Sequence, residues 1–256
     1  NIMRVWLVQI GEALPLGSDI RKLRTASLAE KLCERGHDVI WWGSSFDHFK
    51  KRWLFDSDKE VDCSSGFKIK TLKGCGYKRN FSPLRWLDHR IIAKKFKRCA
   101  RYEPKPDIIV ASLPSYDLAY QCVLYARRMG VPIVVDIRDQ WPEIFVENCP
   151  RIFRGLARSI LRNDFKQAKI AMKGAHGLVS MMDSLLQWGL KNADRDRGSN
   201  DRKYYLGYRK PVRVDNQCSP RMTEVVEKLD GKFVVTFIGT MSEYHNPSLM
   251  VDCAER

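Results

Sequence analysis

Val131-Pro-Ile-Val-Val-Asp-Ile-Arg-Asp-Gln-Trp-Pro-Glu143 sets a β-branched apolar run, Ile133 to Val135, directly against Asp136, Arg138 and Asp139. A buried parallel strand reads this way where its C-terminal end opens into a polar crevice, the edge at which open α/β sheets bind ligands. Two carboxylates and a guanidinium beside a core need compensation, because unpaired buried charge is costly. Either they form a structural ion network, or the carboxylates take hydrogen bonds from a hydroxylated substrate while Arg138 forks onto a carboxylate or phosphate. Position at a strand end favours the second.

Outward from this stretch the chain alternates strand and helix. Residues 4–10 form an apolar strand, and the loop from Gly11 to Gly17 leads to Ser18 and Asp19 as helix N-cap candidates. That helix runs to about Arg35, with Leu28/Leu32 and Ala29/Cys33 on its inner side and Gly36 as its stop. Residues 38–42 return as a strand, so the unit is βαβ and predicts a right-handed crossover and a parallel sheet. Residues 44–80 read as irregular apart from an alternating strand at 67–72. Strands follow at 107–112, 131–137 and 177–181, with helices at 84–102, 116–129, 152–173 and from 183. Residues 192–203 read as an exposed loop, and 203–206 as a last strand.

The composition changes at residues 207–220, which carry two prolines and little apolar content. The expected organisation is one α/β domain over residues 1–208, a linker over 209–231 and, over 232–256, the strand, loop and first helix of a second, truncated domain. Its strand is expected at 232–238, its loop at Gly239 to Asn246, and its helix from Pro247.

The formal net charge of +15 suggests an anionic partner. Eight scattered cysteines show neither CxxC pairs nor zinc spacing, which points to a reducing compartment. No apolar run reaches the roughly 20 residues that span a bilayer, and the N-terminus lacks a signal-peptide pattern. The expected location is cytoplasmic, with attachment to the inner membrane face as an option. Lys78 to Arg101 carries nine Lys/Arg against one acid, Asp88, interleaved with Trp86, Leu87, Ile91, Ile92 and Phe96. An anionic membrane surface and plain packing on the sheet account for this equally well. Nothing matches a nucleic-acid-binding motif, and no nucleophile elbow supports a hydrolase.

The first loop, with Gly17 and Ser18, suits a phosphate or sugar hydroxyl at a helix N-terminus, but it is not the GxGxxG of nicotinamide sites. Arg21 and Arg24 reach an anion or stay solvated, and Ser180 ends another strand. His176, His37, His48 and His89 form no pattern.

Several segments, in order, resemble family 4 glycosyltransferases of the two-Rossmann-domain GT-B fold. They are Arg4-Val-Trp-Leu-Val8, the Gly17 loop, residues 28–39, Lys105-Pro-Asp-Ile-Ile-Val-Ala-Ser112, Val134 to Glu143, Ala175-His-Gly-Leu-Val-Ser180, and Phe233-Val-Val-Thr-Phe-Ile-Gly-Thr240. The resemblance implies a Rossmann-like parallel sheet with helices on both faces. It also implies retaining transfer from a nucleotide-sugar to a glycan or lipid-linked acceptor in surface polysaccharide assembly, with no cofactor and no obligatory metal. By position, Asp136, Arg138 and Asp139 would be the catalytic wall, on the acceptor side with Arg21 and Ser180. Gly17, Ser18, Gly239 and Thr240 would approach the donor. The family's Glu-x7-Glu element would fall beyond Arg256, so turnover is not expected of these residues alone. The competing readings are a non-catalytic module holding an anion or a membrane, and a nucleotide-sugar epimerase.

Overall fold

The computed structural model describes residues 1–17, 22–80, 82–207, 219–237, 246 and 248–254. They belong to two units, Asn1–Gly207 and Tyr208–Arg256. In the first, β1 (Arg4–Val8) leads to α1 (Arg24–Glu34) and β2 (Asp38–Ser44). A small antiparallel pair follows, β3 (Phe46–Asp47) with β4 (Arg52–Trp53), then β5 (Lys59–Asp62) and β6 (Lys68–Leu72). Next come α2 (Pro83–Cys99), β7 (Ile108–Ser112), α3 (Tyr116–Met129) and β8 (Ile133–Ile137). The unit closes with α4 (Glu143–Glu147), α5 (Arg154–Ile160), α6 (Arg162–Lys173), β9 (Gly177–Ser180), α7 (Asp183–Ala193) and β10 (Arg202–Lys203).

Eight strands form one sheet in the order β10-β9-β8-β7-β1-β2-β6-β5, parallel throughout except for β5 at one edge. The α/β, Rossmann-like architecture expected from the sequence is the one observed. Chain order reverses between β1 and β7, which places the topological switch point at their C-terminal ends.

Pleating sends successive side chains to opposite faces. Trp6, Val8 and Trp42 join the core under α2, α3, α6 and α7, whereas Val5, Leu7 and Trp41 pack on the α1 side with Ala26, Ala29, Phe67 and Ile69. Aromatic edges fill the larger core, with Trp6 to Trp42 at 5.4 Å and Trp42 to Phe96 at 5.1 Å between ring centroids. Gly36 ends α1 at φ 82°, as its place after the helix predicts. Gly189 lets α7 close on β8, since a Cβ there would lie 2.1 Å from Ile137 Cδ1.

Several expectations are corrected. The first helix starts at Arg24, and Leu23 at its N-cap offers no side-chain cap. The free N–H groups of Thr25 and Ala26 are taken up by Glu12 from the preceding loop, at 2.8 and 3.3 Å. Ser18 and Asp19 lie outside the described residues. Residues 44–80 contain four strands, because the hairpin and β5 pair locally after β2. The helix expected over 152–173 breaks at Leu161: α6 is drawn onto α2 and α3 by buried Asp164, which accepts from Trp86 and Tyr116, while α5 buries no residue. The strand expected at 203–206 is limited to Arg202–Lys203, beyond which Tyr204, Tyr205 and Leu206 are exposed.

In the second unit, the expected linker contains α8 (Pro220–Lys228), which Ser219 caps by accepting from Met222 N–H and which Pro220 opens at N1. A last helix, α9, spans Ser248–Ala254. No strand forms over residues 233–237; without a partner among the described residues the segment makes no ladder, and Phe233 is 96% exposed.

Candidate functional site

The C-terminal ends of β1, β7 and β8 carry a closed ionic knot. Arg138, just past β8, donates from Nε to Asp136 Oδ2 at 2.8 Å, from Nη1 to Glu12 Oε2 at 2.7 Å, and from Nη2 to Thr25 Oγ1 at 3.0 Å. Thr25 Oγ1 donates to Glu12 Oε2 at 2.7 Å, and Arg24 Nη1 donates to Asp136 Oδ1 at 2.5 Å. Asp136, Glu12 and Thr25 are buried. The paired carboxylates raise the Arg138 pKa against the opposing effect of burial. At the switch point this leaves a gap of about 20 Å³, beside Val8, Ser112, Asp136 and Arg138, no more than a single water needs. Asp136 and Arg138 therefore fill the crevice that the sequence reading expected them to line.

Asp139 is different. Its carboxyl is solvent-accessible, yet the surrounding protein pushes its pKa above the ordinary carboxylate value, with Arg85 and Arg138 pulling the other way. Arg85, in the first turn of α2, lies 4.4 Å from the Trp141 ring centroid and 5.6 Å from that of Tyr77. Trp141 stacks on buried His89 at 5.9 Å. Burial, with Arg85 and His48 adding to it, pushes His89 down to about 3, so the ring is neutral.

Past Arg85, over the C-terminal ends of β2 and β6, opens a cleft of about 450 Å³. Phe46, Trp53, Tyr77 and Leu84 supply its apolar walls, Lys51, Lys78 and Arg79 supply cations, and no Asp or Glu among the described residues lines it. Tyr77 Oη lies 2.7 Å from His48 Nδ1. Burial foremost lowers His48 to about 4 and raises Tyr77 to about 12, so at neutral pH the phenol donates and Nδ1 accepts. Asp88 fixes the cleft's far wall by accepting from Gly76 N–H at 2.7 Å, which gives the lone acid of the basic helix its role.

Helix α2 packs on the sheet. Ile92 and Phe96, for which the sequence left a membrane surface and packing on the sheet equally open, are core residues. Trp86 Nε1 and Tyr116 Oη each donate to buried Asp164 Oδ1 at 2.9 Å, and Arg90 Nη2 reaches the same oxygen at 3.2 Å. Arg90 Nε also lies 3.8 Å from buried Asp117, which burial raises to about 7 despite that arginine.

Of the other expected site residues, Gly17 is exposed within the β1–α1 loop. Ser180 is buried, and its Oγ accepts from Met182 N–H at 3.4 Å, a turn-forming role outside the knot. Ser18, Arg21, Gly239 and Thr240 lie outside the described residues. Among the described residues no three His, Cys, Asp or Glu side chains gather as a metal site, and no helix is long and apolar enough to cross a membrane. Sequence reasoning missed Glu12, whose only signal is an acid in the first strand-end loop. It also missed the cleft, whose signal is the density of aromatic and basic residues over 46–53 and 77–86.

No family model and no curated protein sequence matches the chain. Among solved structures, Anabaena Alr3699/HepE in complex with UDP superposes with a TM-score of 0.52 at 14% identity, covering 99% of this chain and 57% of that one. The same protein in complex with UDP-glucose gives 0.50 at 14%, covering 98% and 57%. Arabidopsis thaliana UGT89C1 complexed with UDP gives 0.50 at 13%, covering 100% and 65%. The chain thus spans less than two thirds of the length of each. At these identities the likeness shows the fold, a Rossmann-like sheet of the GT-B type.

Proposed function

We propose that this chain is the acceptor-binding part of a retaining, family 4-like glycosyltransferase, acting at the cytoplasmic membrane face in surface polysaccharide assembly. It would pass a sugar from a nucleotide-sugar to a glycan or lipid-linked acceptor. The observation that carries the reading is the aromatic, cationic cleft on the ligand-binding edge of the sheet, bordered at Tyr77 by Arg85, whose charge also acts on Asp139. Sugar rings stack on Trp53, while an acceptor phosphate meets Lys51, Lys78 and Arg79. Asp139 accepts the hydrogen bond of the attacking hydroxyl and takes its proton as the new glycosidic C–O bond forms and the sugar's bond to the departing nucleoside diphosphate breaks. Leaving-group stabilisation dominates such a step, and the family resemblance makes Gly17, Ser18, Gly239 and Thr240 the donor-side candidates. Asp136 and Arg138 act as positioning residues that hold the Asp139 loop.

The test is nucleotide-sugar-dependent release of nucleoside diphosphate with a panel of donors and lipid-extracted acceptors, together with the anomeric configuration of the product. Asp139→Asn should cut turnover by roughly 100-fold or more while leaving unfolding unchanged. No release from any donor and acceptor pair, or an unimpaired Asp139→Asn protein, would overturn the proposal.

A further inference from the structure

Arg151-Ile-Phe-Arg-Gly-Leu-Ala-Arg-Ser-Ile-Leu-Arg162 forms a single helical turn and then α5, and neither buries any residue. Ile152 is 83% exposed, Ile160 68%, Leu156 61% and Phe153 52%. The segment holds four arginines and no acid. Its place is fixed nonetheless: Arg154 donates to the carbonyls of Glu147 and Cys149 at 2.8 and 3.2 Å. Helical hydrogen bonds run on into α6, through Leu161 N–H to the Ala157 carbonyl and Phe165 N–H to the Leu161 carbonyl, both at 3.0 Å. A rigid element that holds four large apolar side chains in water marks a surface to be covered.

From this we infer that residues 151–162 dock on an anionic bilayer surface, with Ile152, Phe153, Leu156 and Ile160 entering the interface and the arginines engaging lipid phosphates. Charge complementarity selects this occupant. Apolar anchors combined with long cationic side chains that reach headgroups suit an anionic interface. A second copy docking about a two-fold axis would set arginine against arginine. The inference moves the membrane contact away from α2, whose Ile92 and Phe96 are buried. It rests on the exposed segment alone, so it stands or falls independently of sugar transfer.

The experiment is co-sedimentation of the protein with vesicles of phosphatidylcholine, with and without phosphatidylglycerol. Binding should require the anionic lipid and weaken at high salt. The triple variant Ile152→Ser/Leu156→Ser/Ile160→Ser should lower partitioning about tenfold or more with its near-ultraviolet circular dichroism unchanged. Lys94→Gln/Lys97→Gln/Arg98→Gln on α2 should leave partitioning within about twofold. Wild-type partitioning by the serine variant, or no binding to anionic vesicles, overturns the inference. So does a concentration-dependent dimer that the serine variant abolishes, which would identify the occupant as a second copy.

Discussion

Replacing Arg138 by methionine removes three charge-assisted hydrogen bonds at once, to Asp136, Glu12 and Thr25. Breaking a buried ion pair from one side costs about 3–5 kcal/mol, because the partner charge stays behind. Here neither partner is abandoned. Glu12 keeps the Thr25 N–H, the Thr25 hydroxyl and the Ala26 N–H, and Asp136 keeps Arg24. The expected loss is therefore at the low end, about 3 kcal/mol. With a urea m-value of roughly 2 kcal/mol/M, the midpoint falls by roughly 1.5 M. All seven tryptophans lie in Asn1–Gly207, so tryptophan fluorescence reports on that unit. Arg138→Lys, which keeps the charge but loses the fork, should fall between the two. A cycle with Glu12→Gln should show coupling of about 1 kcal/mol or more. A methionine variant that loses under about 1 kcal/mol, or a strictly additive cycle, would refute the view that the knot holds the strand ends together.

Two pH effects follow from burial. His89 is held at about 3, below its ordinary 6.5, so its contribution is complete above about 6.5 and is lost as pH falls towards 3. Between about pH 7 and pH 5 the wild type should lose roughly 2 kcal/mol relative to His89→Phe, which keeps the stack on Trp141; equal slopes in urea titrations would contradict this. Asp117 is raised to about 7 from 3.8, so its contribution is present below about 3.8 and is lost as pH rises through 7. Asp117→Asn should gain on the order of 4 kcal/mol on the wild type across that range and nothing further above it, as thermal unfolding at stepped pH would show.

The parallel sheet was legible because strand and helix periods alternate cleanly and Gly36 punctuates them. The strand end at Asp136 was legible too, as an abrupt change from β-branched to charged residues. Its role was not, because that depended on Glu12, a residue 126 positions from Arg138 whose approach no local pattern announces. Local logic also misled over 152–173, where helical spacing persists although only α6 finds a surface to cover. The cleft is built from two loops and a helix start, and its aromatic residues carry no period to read. Lys94, Lys97 and Arg98 look identical in sequence whether the far side of their helix meets lipid or, as here, Trp6 and Trp42.

The span of the Glu12–Arg138 contact bears on the order of assembly. β1 lies at the centre of the sheet, and β8 reaches it only through β7, so the two ends of the contact meet once β7 and β8 have joined β1. Contacts of such separation form late, once the entropy of closing the loop has been met. On that order of events Arg138→Met is expected to accelerate unfolding and leave the refolding rate nearly unchanged, which stopped-flow urea jumps would show. Such a knot would act as a kinetic latch, setting how slowly the strand ends open rather than how fast they assemble.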